Sequence, residues 1–535
     1  MVLRICQGSW VRRRVTFSTI PLRRSPVDLS RVHRLGAVSL FVIMLMVAPI
    51  GGQSTAPRTR IDRTIRLAER NPHYFSFRGK TVALITSGEH YGAVFNRNFN
   101  HKKYFSTLSA DGLNYMRIFG GAYIEVPHKS FGIQRNDLAP ESGDLIAPWE
   151  RSDKPGYIGG GNRFDLTEWN PAYFARLKDF LQEASQRQIV VELSFFSSHY
   201  GQEQWEFSPF YPANNVNQTG AIDWKLAETL DNGNLLKFQE AYVRRLVQEA
   251  NEFDNVIFEI LNEPWSDRPA YEDVMNPYLQ KPARDRYPNS IEVADELSLA
   301  WQAKVAEWIA SEEASLHNKH LIAQIYCNFR CSVRSPSVQV SMLNFHYAYP
   351  EAVIENYGLD KAISYDETGF LGREDAAYTR QAWNFMLSGG SAFDALDYSF
   401  SVGHEDGSDT EPNGPGGGSA TLRKQLGILK RFLERFSLAD LKPDCETVKH
   451  AAGVRARVLS DPGREYAIYL DGSGPSELMV QLPRGGYLVE WMNVESGEAV
   501  KTERIHSSEE VYVLKSPKFV NGMALRISNP AAPTR

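Results

Sequence analysis

The sequence predicts an α/β chain, a (β/α)8 TIM barrel followed by a small all-β sandwich. Eight short apolar runs rich in Val, Ile and Phe occur between residues 81 and 398, and helical patterns separate them. After residue 441 the pattern changes to closely spaced β-type segments. Strands that are apolar on both faces and alternate with helices form parallel sheets, and eight such units form a closed barrel.

The apolar runs give the predicted barrel strands in order. An open doubly wound sheet is the alternative, but it favours a glycine-rich phosphate loop after the first strand, and "TSGEHYG" matches such a loop poorly. The predicted strands are "TVALITS" from residue 81, "LNYMRIF" from 113, "IVVELSFF" from 189, "NVIFEILN" from 255, "LIAQIYCN" from 321, "VSMLNFHY" from 340, "AISYDE" from 362 and "SAFDALDY" from 391.

Amphipathic helices are predicted between these strands. Apolar residues recur there at steps of three and four, the spacing that puts them on one helix face. The clearest examples are "NPAYFARLKDFLQEASQRQ" from residue 170, "NLLKFQEAYVRRLVQEANEF" from 234, "ELSLAWQAKVAEWIASEEASL" from 296 and "ATLRKQLGILKRFLERF" from 420.

Residues 1–56 are predicted to lie outside the folded domains. An arginine-rich stretch precedes an apolar run at 35–50, and small residues follow in "GGQSTA". This is the order of a secretory signal peptide, and the run is shorter than the roughly 20 residues that span a bilayer. We therefore expect a secreted, periplasmic or cell-surface protein, with a retained N-terminal membrane anchor as the alternative.

The remaining chain is predicted to divide after residue 440. Residues 57–440 are the predicted catalytic barrel, and residues 441–535 are the predicted accessory sandwich. Turn-forming pairs such as Asp461-Pro462 separate the short β-type segments of this second part. Tyr487 and Trp491 are predicted to lie in its core, with a sugar-binding surface as the alternative.

Composition and charge exclude some classes of partner. The formal net charge of -5 provides no general attraction for nucleic acid or anionic membranes. Aromatic residues make up 12% of the chain, which suits both sugar-stacking surfaces and large aromatic cores. Cys327 and Cys331 could form a local disulfide or remain two independent thiols. We predict a monomer without a cofactor or metal, since the sequence has no His-x-His pattern.

Polar residues at the carboxyl ends of the predicted strands are the candidate functional residues. In TIM barrels the active site lies at those ends, whereas the opposite end serves stability. This criterion selects Glu89 and His90 after strand one, Arg117 in strand two, His199 after strand three, Asn262 and Glu263 at strand four, His346 and Tyr347 at strand six, Asp366 and Glu367 at strand seven, and Asp394, Asp397 and Tyr398 around strand eight.

Two carboxylates end apolar strands that lie three βα units apart. Glu263 follows strand four, and Glu367 ends strand seven. Around an eight-stranded barrel these positions lie on opposite sides of the mouth, so both carboxylates can face one sugar. Glycoside hydrolysis needs such a pair, one acid to protonate the leaving oxygen and one carboxylate to attack or to activate water. The alternative for each residue is a solvated carboxylate on a loop.

The two strand ends resemble a known family of enzymes. "FEILNEPW" and "ISYDETGF" are similar to the signature strands of the retaining clan A glycoside hydrolases, near the family 5 cellulases. By strand order the resemblance extends over residues 75–440. It implies that Glu263 is the general acid/base, Glu367 the nucleophile and Asn262 the amide that binds the sugar 2-hydroxyl.

The same resemblance implies roles for three further residues. Arg117 corresponds to an arginine beneath the nucleophile, where its charge keeps the carboxylate ionised. His346 corresponds to a strand-six histidine that contacts the substrate site. His199 is a weaker candidate, which could equally be a loop histidine.

Two departures from the family pattern concern the sugar-binding residues. Strand six reads "HYAY", with Ala348 where the family often has tyrosine, so Tyr347 or Tyr349 would substitute. The strand-eight tryptophan of the family is missing from "SAFDALDYSF", so Tyr398 or Phe400 would form the sugar platform.

The first strand and the C-terminal sandwich resemble those of one particular group of relatives. "ALITSGEHYGAVFN" followed by a barrel and a small sandwich is similar to bacterial apiosidase-like and cellulase-like relatives. This implies that Glu89, His90 and Tyr91 line the floor of a sugar subsite. A buried pairing of Glu89 inside the barrel is the alternative.

These features predict a secreted glycoside hydrolase that cleaves O-glycosidic bonds of a plant or bacterial oligo- or polysaccharide with retention. The alternative is a non-catalytic glycan-binding surface protein built on the same barrel. Burial and the charge of Glu367 are expected to raise the pKa of Glu263, while Arg117 favours ionised Glu367. Strand alternation places Glu259 on the same face as Glu263, so Glu259 is predicted to be a buried structural carboxylate that needs a partner.

Overall fold

The computed structural model of the protein describes residues 64–273, 290–334, 336–411 and 414–532. The predicted signal peptide or anchor, residues 1–56, lies outside these ranges. Within them, no helix combines the length and the apolar character needed to cross a membrane.

Eight parallel strands form the barrel, and each coincides with one of the eight predicted apolar runs. A continuous ladder of backbone hydrogen bonds runs from strand two through strand eight to strand one. The fold class predicted from the sequence is therefore confirmed. Barrel strands one to eight span Leu84–Gly88, Tyr115–Phe119, Val190–Ser197, Val256–Asn262, Leu321–Asn328, Met342–His346, Ala362–Glu367 and Ala392–Leu396.

An asparagine side chain joins strands one and two, the two ends of this ladder. Asn114 Nδ2 donates to the carbonyl of Ala83 at 2.9 Å, and Asn114 Oδ1 accepts from the N–H of Ile85 at 2.9 Å. The Asn114 N–H also donates to the carbonyl of Ile85 at 3.3 Å. The side-chain amide of Asn114 thus makes hydrogen bonds that a neighbouring strand backbone would otherwise make, and it closes the barrel.

The helices around the barrel bury one face against it, and several begin at side-chain caps. Asn170 Oδ1 accepts from the N–H of Ala172 at 3.0 Å, and Pro171 occupies the first turn, where its missing N–H costs nothing. Ser419 caps the last helix in the same way. The helices span His101–Ala110, Pro171–Gln186, Gln202–Trp205, Leu236–Ala250, Glu296–Glu313, Pro350–Asn356, Asp375–Met386 and Ala420–Leu433, with 3-10 turns at Pro212–Asn214, Trp224–Leu226 and Tyr357–Leu359.

A small antiparallel sheet closes the amino-terminal end of the barrel. Its Phe75 and Phe77 belong to one buried cluster with Leu84, Tyr115 and Ile257 of the barrel strands. Apolar side chains fill this end, so a substrate can enter only from the carboxyl ends of the strands. The sheet comprises Arg66–Ala68, Asn71–Phe77 and Lys80–Val82; other short pairs are Trp149–Pro155 with Asn162–Trp169 and Ala270–Asp273 with Ser290–Val293.

Two antiparallel sheets form the C-terminal sandwich and share one apolar core. Tyr487 and Trp491 are buried in this core, which is the position predicted for them. The sandwich packs on the barrel where the ring of Trp383 stacks on Tyr469 at 5.4 Å between centroids. One sheet contains Lys442–Pro443, Arg455–Asp461, Glu465–Asp471, Met523–Ser528, Gly485–Asn493 and Ala499–Ser507, and the other contains Val448–Ala451, Glu477–Gln481 and Val511–Lys515.

Replacing Asn114 by Ala is expected to lower the free energy of unfolding by about 1–3 kcal/mol, because two backbone groups at the barrel seam lose their partners. Urea-induced unfolding followed by circular dichroism measures this change. Asn234 is the matched control, since it bonds the N–H of Gly220 and the carbonyl of Gln218 in an exposed loop. Asn234→Ala should change the unfolding free energy by about 0.5 kcal/mol or less. Equal losses in both variants would contradict the closing role of Asn114.

Candidate active site

Left-handed backbone follows five of the barrel strands. Glu263, directly after strand four, has a φ of 46°, and Tyr91, Tyr200, Phe329 and Tyr347 have φ values of 57°, 60°, 62° and 47°. This conformation is strained for residues with a Cβ, and such residues cluster at functional sites. These turns redirect side chains across the mouth of the barrel.

The two predicted carboxylates come together at the mouth, with His346 beside them. One oxygen of Glu263, one oxygen of Glu367 and one ring nitrogen of His346 lie within 4.8 Å of one another. The Glu263 side chain is 15% exposed and the Glu367 side chain 8%. Both carboxyl groups are therefore largely removed from water. The structure thus brings together the two acids that the sequence places on strands four and seven.

The guanidinium of Arg117 lies inside the barrel and binds Glu367. Its Nε and Nη2 donate to the two carboxylate oxygens of Glu259 at 2.8 and 2.5 Å. Nη2 also donates to Asn262 Oδ1 at 2.7 Å, and Nη1 donates to Glu367 Oε2 at 3.2 Å. Arg117 and Glu259 are fully buried, so Glu259 has the partner that its burial requires. One cation thereby fixes a structural carboxylate, the strand-four amide and Glu367.

A second buried acid, Glu192 on strand three, adjoins Glu259. Asn344 Nδ2 donates to Glu192 Oε1 at 2.6 Å and to Glu259 Oε2 at 3.1 Å, and the Tyr115 hydroxyl donates to Glu192 Oε2. Burial raises the pKa of Glu192 well above its ordinary value, and the charge of Glu259 adds to the effect. Burial would also raise the pKa of Glu259, but the charge and hydrogen bonds of Arg117 outweigh it and lower that pKa. Arg117 thus favours the charged form of Glu259, while burial beside that charge disfavours the charged form of Glu192.

His346 contacts the carboxylate pair from strand six. Its Nδ1 lies 3.2 Å from Glu263 Oε1 and 3.9 Å from Glu367 Oε1, and its Nε2 lies 3.2 Å from Asp366 Oδ2. Burial would lower the pKa of His346, but the charges of Asp366 and Glu367 outweigh burial and raise that pKa well above its ordinary value. The neighbouring acids therefore favour the protonated, cationic form of His346.

The pKa values of the two paired carboxyl groups are shifted in opposite directions. Burial raises the pKa of Glu367, and the charges of His346 and Arg117 only partly oppose this. Burial would also raise the pKa of Glu263, but the hydrogen bond and charge of His346 outweigh it and lower that pKa. Arg117 opposes the rise at Glu367, as expected from the sequence. The expected net rise in the pKa of Glu263 is not found, because the expectation did not include the imidazole of His346, 3.2 Å from Glu263.

Two tyrosine hydroxyls reach the site from the strained turns. The Tyr91 hydroxyl donates to Glu367 Oε2 at 2.9 Å. The Tyr200 hydroxyl accepts from Asn262 Nδ2 at 2.9 Å, and it also bonds the Glu263 carboxylate, where it helps to lower the pKa. From the sequence, Tyr91 is expected only on a subsite floor, and Tyr200 is not among the candidates. Its place three residues after strand three is the signal that could have found it.

Tyr347 and Tyr398 lie near Glu367 at the mouth. Burial raises the pKa of both tyrosines well above the ordinary value, and the charge of Glu367 adds to the shift in each. The N–H of Tyr347 donates to the carbonyl of Glu367 at 3.0 Å. A Cβ at Gly414 or Gly416 would lie within 2.7 Å of the Tyr398 ring. The glycine-rich segment thus packs directly on Tyr398, where a larger residue would collide.

Glu89 contacts the backbone of its own turn, and His90 contacts the segment after strand two. Glu89 is buried, and its carboxylate accepts from the N–H groups of Gly92 and Ala93 at 3.0 and 3.2 Å. His90 Nδ1 lies 3.0 Å from Asn136 Oδ1. Burial lowers the pKa of His90 to about 4, so its ring is neutral at neutral pH. These contacts fix the turn after strand one.

His199 belongs to the turn after strand three. Its Nε2 lies 3.2 Å from Glu228 Oε1. The Asp267 carboxylate accepts from the N–H groups of His199 and Tyr200 at 2.8 and 2.7 Å. Burial raises the pKa of Asp267 to about 7. This cluster fixes the turn that carries Tyr200.

The carboxylate pair and His346 could also hold a metal ion, because their donor atoms converge. Carboxylate oxygens and imidazole nitrogens are common ligands of zinc and similar cations. One feature opposes a divalent cation here: the positive charge of Arg117, whose Nη1 lies 3.2 Å from Glu367 Oε2. Cys327 and Cys331, the other potential ligands considered, are buried free thiols.

Comparisons with known proteins agree with the fold. No family model matches the sequence, and no curated protein matches it. A glycoside hydrolase family 5 protein from Bacteroides vulgatus is similar in structure, with a TM-score of 0.58 and 11% identity over 88% of this chain and 94% of that chain. Another solved glycoside hydrolase has a TM-score of 0.57 and 11% identity, over 88% of this chain and 98% of its own. At these identities the similarity establishes a shared fold.

Replacing Arg117 by Met leaves the buried carboxylate of Glu259 without its cation. We expect the free energy of unfolding at pH 7 to fall by about 3–5 kcal/mol. Because the pKa of Glu259 is depressed, this stabilisation is present above the ordinary value of 4.5 and is lost as pH falls through the lower pKa of the folded state. The difference from the wild type should therefore shrink in acid. Denaturant unfolding at several pH values measures both effects.

Arg244→Met is the matched control for this experiment. Arg244 pairs with Glu240 and Glu312 on partly exposed helix faces, so its loss should cost about 0–1 kcal/mol at every pH. Equal destabilisation by the two variants would contradict the structural role of Arg117.

Proposed function

We propose that the protein is a glycoside hydrolase, similar to family 5 of clan A, that cleaves O-glycosidic bonds with retention of configuration. The observation that carries this proposal is the separation of Glu263 and Glu367, whose facing oxygens lie within 4.8 Å at the ends of strands four and seven. Retaining enzymes hold their carboxyl groups about 5–5.5 Å apart, whereas inverting enzymes need about 6.5–9.5 Å to admit a water. The fold shared with solved glycoside hydrolases supports the proposal.

The proposed reaction has two displacement steps. In the first step Glu367 attacks the anomeric carbon while Glu263 protonates the leaving glycosidic oxygen. The glycosidic carbon–oxygen bond breaks as the ester bond to Glu367 forms, and Glu263 is left ionised. In the second step Glu263 takes a proton from water, the water oxygen attacks the anomeric carbon, and Glu367 leaves as a carboxylate. Both acids then have their starting forms.

This cycle needs the proton on Glu263 and the charge on Glu367, whereas in the free protein His346 lowers the pKa of Glu263. A bound sugar would cover the exposed part of Glu263, and loss of water raises the pKa of a carboxyl group. Glu367 keeps two hydrogen-bond donors, Arg117 and Tyr91, which favour its charged form. We propose that substrate binding moves a proton onto Glu263 from the imidazolium of His346, 3.2 Å away.

Asn262 is proposed to bind the sugar 2-hydroxyl through its amide nitrogen. Nδ2 donates to Ser197 Oγ at 3.1 Å and to the Tyr200 hydroxyl at 2.9 Å. A sugar hydroxyl could replace either acceptor without turning the amide. Tyr347 and Tyr398 are the proposed aromatic contacts for the faces of the sugar ring.

The proposed partner is an oligo- or polysaccharide of plant or bacterial origin. Carboxyl groups, one amide and aromatic rings form the site, and such a mixture of apolar surface with few placed polar groups is typical of small-molecule sites. We further propose that a monomer acts outside the cytoplasm, in the periplasm, at the cell surface or in the medium. The signal-peptide-like order of residues 1–56 supports this location.

Glu263→Gln and Glu367→Gln are each expected to lower kcat/KM by about 10²–10⁴-fold or more, because the amide can neither transfer the proton nor attack. A panel of 4-nitrophenyl glycosides and plant polysaccharides measures the loss. Glu313→Gln is the matched control, since Glu313 is a buried carboxylate beside His320, at the amino-terminal side of strand five. The control should hydrolyse the same substrates as the wild type.

Two other results would count against the proposed function of Glu263 and Glu367. Glycan binding by the wild type without hydrolysis of any member of the panel would support the non-catalytic glycan-binding protein. Equal hydrolysis by the wild type and both Gln variants would show that other residues carry the chemistry.

A further inference from the structure

We infer that Tyr91 is the positioning residue of the nucleophile: its hydroxyl holds one oxygen of Glu367 and directs the other toward the sugar. This inference rests on the proposed function, since it concerns the same carboxylate. On this inference the turn after strand one orients the nucleophile, a role that differs from lining a sugar subsite.

The hydrogen bonds to Glu367 distinguish its two oxygens. Oε2 accepts from the Tyr91 hydroxyl at 2.9 Å and from Arg117 Nη1 at 3.2 Å. Oε1 is the oxygen that lies 3.9 Å from His346 Nδ1, the atom that also contacts Glu263. Two donors occupy Oε2, so Oε1 is the oxygen available to attack the anomeric carbon. Glu367 Oε1 and the acid/base thus share one neighbour, His346 Nδ1.

The Tyr91 ring packs against Phe119 and Arg117, which fixes the direction of its hydroxyl. It is 2% exposed and stacks on Phe119 at 5.0 Å and 18° between ring planes. The guanidinium carbon of Arg117 lies 4.8 Å from the centre of the ring. The cation is attracted to the ring, which helps to fix the ring in place. Arg117 therefore acts on Glu367 both directly and through Tyr91.

Backbone contacts around Tyr91 also fix the direction of its hydroxyl. Tyr91 has a φ of 57°, and its carbonyl accepts from the N–H of Phe119 at 3.0 Å. The buried carboxylate of Glu89 accepts from the N–H groups of Gly92 and Ala93, immediately after the strained residue. A Cβ at Gly92 would lie 2.0 Å from a backbone oxygen, so the turn accepts only glycine there. Glu89 thus contributes to the site through Tyr91.

The consequence for the reaction is a dependence on pH. A hydrogen bond donated to a carboxylate favours its charged form, so loss of the Tyr91 hydroxyl should raise the pKa of Glu367. The nucleophile must be ionised to attack, and the acidic limb of the pH profile of kcat/KM reports its pKa. Without the hydroxyl this limb should move to higher pH.

Tyr91→Phe tests the inference, because it keeps the stacked ring and removes only the hydroxyl. On the 4-nitrophenyl glycoside that the wild type cleaves best, we expect kcat/KM at the optimum to fall by about 10–100-fold. We expect the acidic limb to move up by about one pH unit. Tyr242→Phe is the matched control, since that buried hydroxyl donates to the carbonyl of Phe195. It should leave the acidic limb unchanged.

An unchanged acidic limb in Tyr91→Phe would overturn the inference, whatever happens to the rate. A measurement without substrate tests the inference about Tyr91 separately from the proposed function. In protein with ¹³C-labelled glutamate side chains, the Glu367 signal is identified by its loss in Glu367→Gln. We expect it to titrate at higher pH in Tyr91→Phe than in the wild type by about one unit. An unchanged titration overturns the inference, whereas absence of hydrolysis by the wild type counts against the proposed function alone.

Discussion

The charge of Arg117, buried inside the barrel, is the interaction on which the catalytic end of this structure depends. A guanidinium without water needs anionic partners, and Glu259 and Glu367 supply them from strands four and seven. The same cation holds the carbonyl oxygen of Asn262. Strands two, four and seven must therefore be in register before this charge is satisfied. Closure of the barrel and assembly of the candidate site therefore depend on the same contacts of Arg117.

A second set of buried carboxylates stabilises the strained turns. Glu89 binds backbone N–H groups after strand one, and Asp267 binds those after strand three. Both turns contain a tyrosine in the left-handed conformation, and each tyrosine bonds one of the paired acids or its neighbouring amide. Acids that do not face the mouth thus determine how the acids at the mouth are oriented. This division explains why the site contains so many carboxyl groups.

The sequence predicts the barrel and the acid pair because both follow from local patterns. Each strand is a short apolar run, and strand alternation alone places Glu259 on the same face as Glu263, where its burial requires a partner. Tyr91 and Tyr200 act through turns whose positive φ no propensity signals, and Tyr91 crosses from strand one to Glu367 on strand seven. The lowered pKa of Glu263 depends on His346, on strand six, in the same way. Non-local contacts between side chains decide these features, and a single sequence carries no direct signal of them.

Trapping of the glycosyl intermediate tests the central claim, that Glu367 is the nucleophile of a retaining glycoside hydrolase, most directly. A 2-deoxy-2-fluoro glycoside with a good leaving group forms the ester readily but hydrolyses slowly, because fluorine destabilises the oxocarbenium-like transition state. We expect mass spectrometry to show one fluoroglycosyl group per chain, on the peptide that contains Glu367. Attachment to Glu263, or hydrolysis with inversion and no attached group, would contradict the account.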